Sequence, residues 1–137
     1  MLQESHKPTI LLVEDYEETR LMLRVWLERR GYRLVEAGDG EEAVELASIV
    51  MPDAILMDLR LPELNGIAAT RRIRQHPKLC GVPVIVISAL DPALFRDAAA
   101  KVGCTEYLNK PIDLERLEDL LANIAPPPAD PRTARSA

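Results

Sequence analysis

The chain has 137 residues, enough for one domain and too few for two ordinary ones. It is 47% hydrophobic and 28% charged, the balance of a soluble globular protein whose core needs no disulfide or metal. Its formal net charge of −5 argues against general affinity for nucleic acid or an anionic membrane, and no apolar run approaches the ~20 residues of a membrane span.

Residues 1–8 are mixed polar, end in Pro8, contain no signal-peptide core and read as a flexible leader. Thr9 to Val13 is a short apolar run that suits a strand buried on both faces, and it ends in Glu14 and Asp15. Tyr16 to Arg30 has helical character. Leu23, Trp26, Leu27 and Arg30 recur at three- and four-residue spacing, Glu17 and Glu18 suit the positive end of the helix dipole, and Arg29 and Arg30 suit its negative end. Gly31 supplies the stop. Tyr32 to Ala37 is a second strand. Asp39 then caps a helix running to about Val50, with Glu42 in capping-box position and Ala43, Leu46, Ala47 and Val50 inward.

After Pro52, the run Ala54 to Met57 is a third strand that leads straight into a carboxylate, Asp58. Pro62 to Gly66 is a loop, with Asn65 capping a helix to about His76. Val82 to Ser88 is the most hydrophobic strand and ends in a hydroxyl. Asp91-Pro92 opens a helix to about Val102, stopped by Gly103. Cys104 to Leu108 is a short strand leading to Asn109, Lys110 and Pro111. Asp113 caps a last helix with Leu114, Leu117, Leu120, Leu121 and Ile124 in one stripe. Residues 126–137 contain four prolines and little to bury, and read as a Pro-rich disordered tail. Cys80 and Cys104 lack metal-ligand spacing and read as reduced structural thiols of a cytosolic protein.

Five β-α units in strict alternation imply an α/β fold, a five-stranded parallel sheet with helices on both faces. The expected order is 2-1-3-4-5, the flavodoxin-like (βα)5 three-layer sandwich, in which the carboxyl ends of strands 1 and 3 meet at the switch point. Strand ends then supply Glu14, Asp15, Asp58, Ser88 and Lys110. Singly, each has an ordinary reading: a helix N-terminus, a turn serine, a surface Lys-Pro. Together they make chemistry. Crowded carboxylates repel unless a cation intervenes, and hard oxygen donors suit Mg²⁺. A lysine beside a hydroxyl offers two donors to phosphoryl oxygens, and Asp58 is the nucleophile such a site would serve.

The motifs I-L-L-V-E-D, I-L-M-D-L-R-L-P-E-L-N-G, V-I-V-I-S-A and E-Y-L-N-K-P, taken together, resemble the receiver domains of two-component response regulators over residues 9–124. The resemblance makes 9–125 a receiver domain with Asp58 as phosphoacceptor. It implies Asp15 as a direct Mg²⁺ ligand, Glu14 as a ligand through water and the backbone carbonyl of Arg60 as a further ligand. Ser88 and Lys110 would contact the phosphoryl group, Lys110–Pro111 would be a cis peptide, and Tyr107 would be the aromatic that swings inward with Ser88. Glu at 14 and Ser at 88, in place of the usual Asp and Thr, keep the needed oxygens. Arg60 and Leu90 occupy positions that govern water access, and so the lifetime of the phosphoryl group.

The implied donor is a phosphohistidine of a histidine kinase or phosphotransfer protein. The implied output is an altered face of the fourth helix, fifth strand and fifth helix, offered to a downstream protein or a second copy of the chain. Such a chain assists its own phosphorylation and dephosphorylation without being a turnover enzyme. A receiver-like interaction module that is never phosphorylated is the alternative. A haloacid-dehalogenase-type phosphatase is excluded by Arg60, where a second aspartate is required. A flavin site is excluded by the acidic stretch Glu14-Asp15-Tyr16-Glu17-Glu18. The chain reads as either a single-domain regulator or a receiver from a larger protein.

Overall fold

The structure is a computed structural model that describes residues 7–128. Most of the expected leader and tail, residues 1–6 and 129–137, lies outside the described residues. Strands β1 (Thr9–Val13), β3 (Ala54–Met57) and β4 (Val84–Ser88) are buried at every position, while β2 (Arg33–Ala37) and β5 (Glu106–Asn109) form the half-exposed edges. All pairings are parallel, in the order β2-β1-β3-β4-β5. The flavodoxin-like sandwich is therefore the observed fold.

The strands alternate with α1 (Glu17–Glu28), α2 (Gly40–Val50), α3 (Gly66–Arg74), α4 (Pro92–Lys101) and α5 (Leu114–Ile124). Strand pleating divides the apolar side chains between the two faces. Ile10, Leu12, Ile85 and Ile87 pack against Leu23 and Leu27 of α1 and Leu117 and Leu121 of α5. Leu11, Val13, Ile55 and Met57 pack against Ala43 and Ala47 of α2 and Ala69 and Ile73 of α3. Leu59, Val86, Ala99 and Tyr107 form a smaller cluster under α4, the most thinly anchored helix, whose one buried residue is Ala99. No helix among the described residues is long and apolar enough to cross a membrane.

Asp39, Asn65, Asp91 and Asp113 all cap their helices through a side-chain oxygen. The box at α2 is displaced by one residue, since Glu42 accepts from Gly38 N rather than from the cap residue. Other boundaries differ from expectation. Helix α1 stops before Arg29 and Arg30; Arg30 instead lies 3.4 Å over the Trp26 ring and pairs with Glu118 at 2.8 Å, tying α1 to α5. Strand β5 begins at Glu106 rather than Cys104, because Cys104 N still bonds Ala99 O and closes α4. On α5, Ile124 is exposed and Ala125 takes the inward place.

Candidate functional site

Parallel register determines which residues meet. Val13 pairs with Met57, so the next residues, Glu14 and Asp58, emerge side by side. Asp58 N bonds Val13 O at 3.0 Å, and Glu14 N bonds Ala37 O at 3.1 Å, which carries the ladder to the last residue before the loops. Ser88 pairs with Asn109, and Lys110 N donates to Ser88 O at 2.8 Å, placing the lysine one residue beyond the serine. Four strand ends thereby deliver Glu14, Asp15, Asp58, Ser88 and Lys110 to one side of the sheet.

A cleft of about 290 Å³ is lined by Glu14, Asp15, Tyr16, Asp58, Arg60, Ala89 and Lys110. Glu14, Asp15 and Asp58 each present a carboxylate oxygen within 4.8 Å of the others. Glu14 is fully buried, Asp58 is 4% exposed, and Asp15 is open to solvent. The two buried acids are fixed at both oxygens. Asp58 accepts from Arg60 N through Oδ1 at 3.0 Å and from Lys110 Nζ through Oδ2 at 3.1 Å. Glu14 accepts from Lys110 Nζ through Oε1 at 2.7 Å and from Tyr16 N through Oε2 at 3.1 Å.

Burial pushes the Glu14 carboxyl above the ordinary carboxylate range; the Lys110 hydrogen bond opposes that and the Asp58 charge adds to it. For Lys110, burial would depress the ammonium, but the hydrogen bond to Glu14 and the charge of Asp58 overcome it and hold the group above its usual value. One ammonium facing three carboxylates leaves the ionised cluster with excess negative charge. That is an oxygen donor set for a hard divalent cation.

The neighbouring loops explain two features that composition does not show. A Cβ on Gly66 would collide with the carbonyl of Asp58, and Gly66 N donates to Leu59 O at 2.9 Å, so only glycine lets α3 start this close to the acidic strand end. The Lys110–Pro111 peptide is cis. Ser88 is buried, with its Oγ accepting from Leu90 N at 3.1 Å. Tyr107 is likewise buried, and its hydroxyl donates to Leu90 O at 3.0 Å. Asn109, to which the sequence attaches no role, donates through Nδ2 to both Ser88 O (2.8 Å) and Leu90 O (3.0 Å).

Residues 10–122 match the response regulator receiver domain family. The chain is 34% identical over 108 residues to protein PilH of Pseudomonas aeruginosa, covering 79% of this chain and 89% of that protein. It is 33% identical over 108 residues to the polar-differentiation response regulator DivK of Brucella anthropi, covering 79% and 88%. Among solved structures, chemotaxis protein CheY4 of Vibrio cholerae superposes with a TM-score of 0.82 at 25% identity, over 87% of this chain and 99% of that one. The receiver domain of the sensor histidine kinase PA1611 from Pseudomonas aeruginosa gives 0.81 at 36% identity, over 87% and 98%, and holds a magnesium ion in its active-site cleft. Sheet order, acidic strand ends and sequence relatives agree: the chain belongs to the response regulator receiver domain family.

Proposed function

We propose that Asp58 accepts a phosphoryl group from a phosphohistidine of a histidine kinase or phosphotransfer protein, in a reaction that requires Mg²⁺. The observation that carries this reading is Lys110 Nζ, held 3.1 Å from Asp58 and 2.7 Å from Glu14 beside a solvent-facing Asp15. The donor set fits Mg²⁺: Asp15, Asp58 and the backbone carbonyl of Arg60 would hold the ion, and Glu14 would assist through water. When bound, the ion supplies neutralisation of the charge shared by nucleophile and phosphoryl oxygens.

The remaining work belongs to the chain. An Asp58 oxygen attacks phosphorus as the P–N bond breaks, and the electron pair leaves with the imidazole. Hydrogen bonds from Arg60 N and Lys110 orient Asp58 before the attack. Lys110 then transfers its donor to a phosphoryl oxygen, and Ser88 turns its hydroxyl from Leu90 N toward another. That turn releases the β4–α4 loop, whose Leu90 carbonyl is tied to Tyr107 and Asn109. A local charge change thus biases the face made by α4, β5 and α5 for a downstream protein or a second copy of the chain. The chain is a signalling phosphoacceptor that promotes its own phosphorylation and dephosphorylation.

The test uses phosphoramidate, whose P–N bond stands in for phosphohistidine. Intact-mass measurement should show one phosphoryl group on the wild type with Mg²⁺, none with chelator and none on Asp58→Asn. Equal uptake by Asp58→Asn removes the acceptor assignment. If the wild type neither takes up phosphoryl nor binds beryllofluoride with Mg²⁺, the chain is an interaction module that is never phosphorylated.

A further inference from the structure

The structure holds a second concavity, a groove of about 610 Å³ between the β3–α3 segment, α3 and the start of α4. Leu61, Ile67, Leu90 and Phe95 give it apolar walls, and Arg60 and Arg71 stand at its rim. Its size falls within the range of ligand-binding clefts, about 300–1,000 Å³. Because it is open along one side, it suits a peptide segment better than an enclosed small molecule.

The rim charges define what fits. Helix α3 ends in three arginines, and two are engaged within the fold. Arg72 pairs with Glu41 at 2.7 Å. Arg74 donates to Leu79 O at 2.7 Å and Gly103 O at 2.6 Å. The side chains of Arg71 and Arg60 have neither a salt bridge nor a hydrogen bond among the described residues, and both are exposed. Asp15 is the one acid among the lining residues, so Arg60 and Arg71 leave the groove with one net positive charge in a chain of net charge −5. Guanidinium forks favour carboxylates, and an apolar floor with a charged rim is the usual anatomy of a protein interface.

We propose that this groove receives a segment of a partner protein, an amphipathic helix whose large apolar side chains are flanked by carboxylates. The inference extends the phosphoacceptor reading and rests on it in one respect. Asp15 and Arg60 line both the groove and the acidic cleft, and Leu90 lies on the loop that Ser88 moves. Docking and phosphorylation therefore act on one element, and by linkage each changes the affinity of the other by the same factor.

The test titrates the full chain with two capped helical peptides, one carrying leucines a turn apart flanked by Glu, the other with each Glu replaced by Lys. Backbone amide NMR shifts locate binding. The Glu peptide should saturate and perturb Ile67, Leu90 and Phe95, with the Lys peptide at least tenfold weaker. Arg71→Glu should reverse that order, Phe95→Ala should weaken the Glu peptide about tenfold, and beryllofluoride should shift its affinity severalfold. Equal affinity for the two peptides, shifts located elsewhere, or no saturation up to about 1 mM overturns the proposal. So does a result in which the variants alter only self-association, since the occupant is then a second copy. Beryllofluoride binding by Arg71→Glu is scored separately. Its loss in every variant and in the wild type defeats the phosphoacceptor reading while peptide discrimination leaves the groove standing.

Discussion

Tyr32 is 2% exposed, yet its hydroxyl finds no hydrogen-bond partner among the described residues, and the buried indole nitrogen of Trp26 in the same cluster finds none there either. An unpaired buried hydroxyl costs stability, so its removal should be close to neutral or favourable. The phenol is pushed up from 10.0 to about 12, mainly by burial and further by the Glu118 charge. Because the folded pKa is raised, the unfolded chain binds fewer protons between those two values. The phenol therefore adds no pH-dependent penalty below pH 10, and the fold loses stability as pH rises from there through about 12. Tyr32→Phe is expected to match or exceed wild-type Tm at pH 7 and to lose less stability between pH 10 and pH 11. Thermal melts across that range check it. A variant that melts clearly lower at pH 7 would mean that the hydroxyl has a favourable partner.

Helix α4 buries only Ala99, so the loop at its start decides where it sits. That loop is held by the Leu90 carbonyl, which accepts from both Tyr107 and Asn109, while Asn109 also reaches Ser88 O. These bonds accompany the arrangement in which Lys110 pairs with Asp58 and Glu14, so under the proposed switch they would favour the state without a phosphoryl group. Asn109→Ala should then bind beryllofluoride about fivefold more tightly, the equivalent of ~1 kcal/mol for a pair of neutral hydrogen bonds, and should exchange the Leu90 amide faster. Unchanged affinity together with unchanged exchange would show that the amide carries no part of the switch. The contrast between Asn109 and the helix caps shows what a sequence makes legible. Asp39, Asn65, Asp91 and Asp113 act on amides two or three residues away, so local chemistry reveals them. The five-unit alternation and the four acidic, hydroxyl and lysine strand ends are legible for the same reason, because each follows its own strand. Asn109 acts on a loop 19 residues away, and the need for Gly66 arises from the carbonyl of Asp58. The open rim arginines also become visible only once Arg72 and Arg74 are seen to be engaged. Proximity between elements, rather than pattern within one, is the missing information.

At the scale of the whole molecule, the acidic cluster lies apart from what holds the fold together. Both faces of the sheet are packed by apolar side chains from the helices, whereas Glu14 and Asp58 are buried charges at the strand ends. Three carboxylates within 4.8 Å of one another, offset by a single ammonium, instead cost stability. A cation that binds the folded cluster and not the unfolded chain must raise the melting temperature. At ten times its Kd, Mg²⁺ should add ~1.4 kcal/mol, or roughly 4–5 °C for a domain of this length. Asp15→Asn removes one repelling charge from an exposed position, so its metal-free Tm should equal or exceed that of the wild type while most of the Mg²⁺ increment disappears. Melts of both proteins in MgCl2, in chelator and in KCl of matched ionic strength separate site binding from screening. If KCl reproduces the increment, or if Asp15→Asn keeps all of it, the stabilisation does not arise at this cluster.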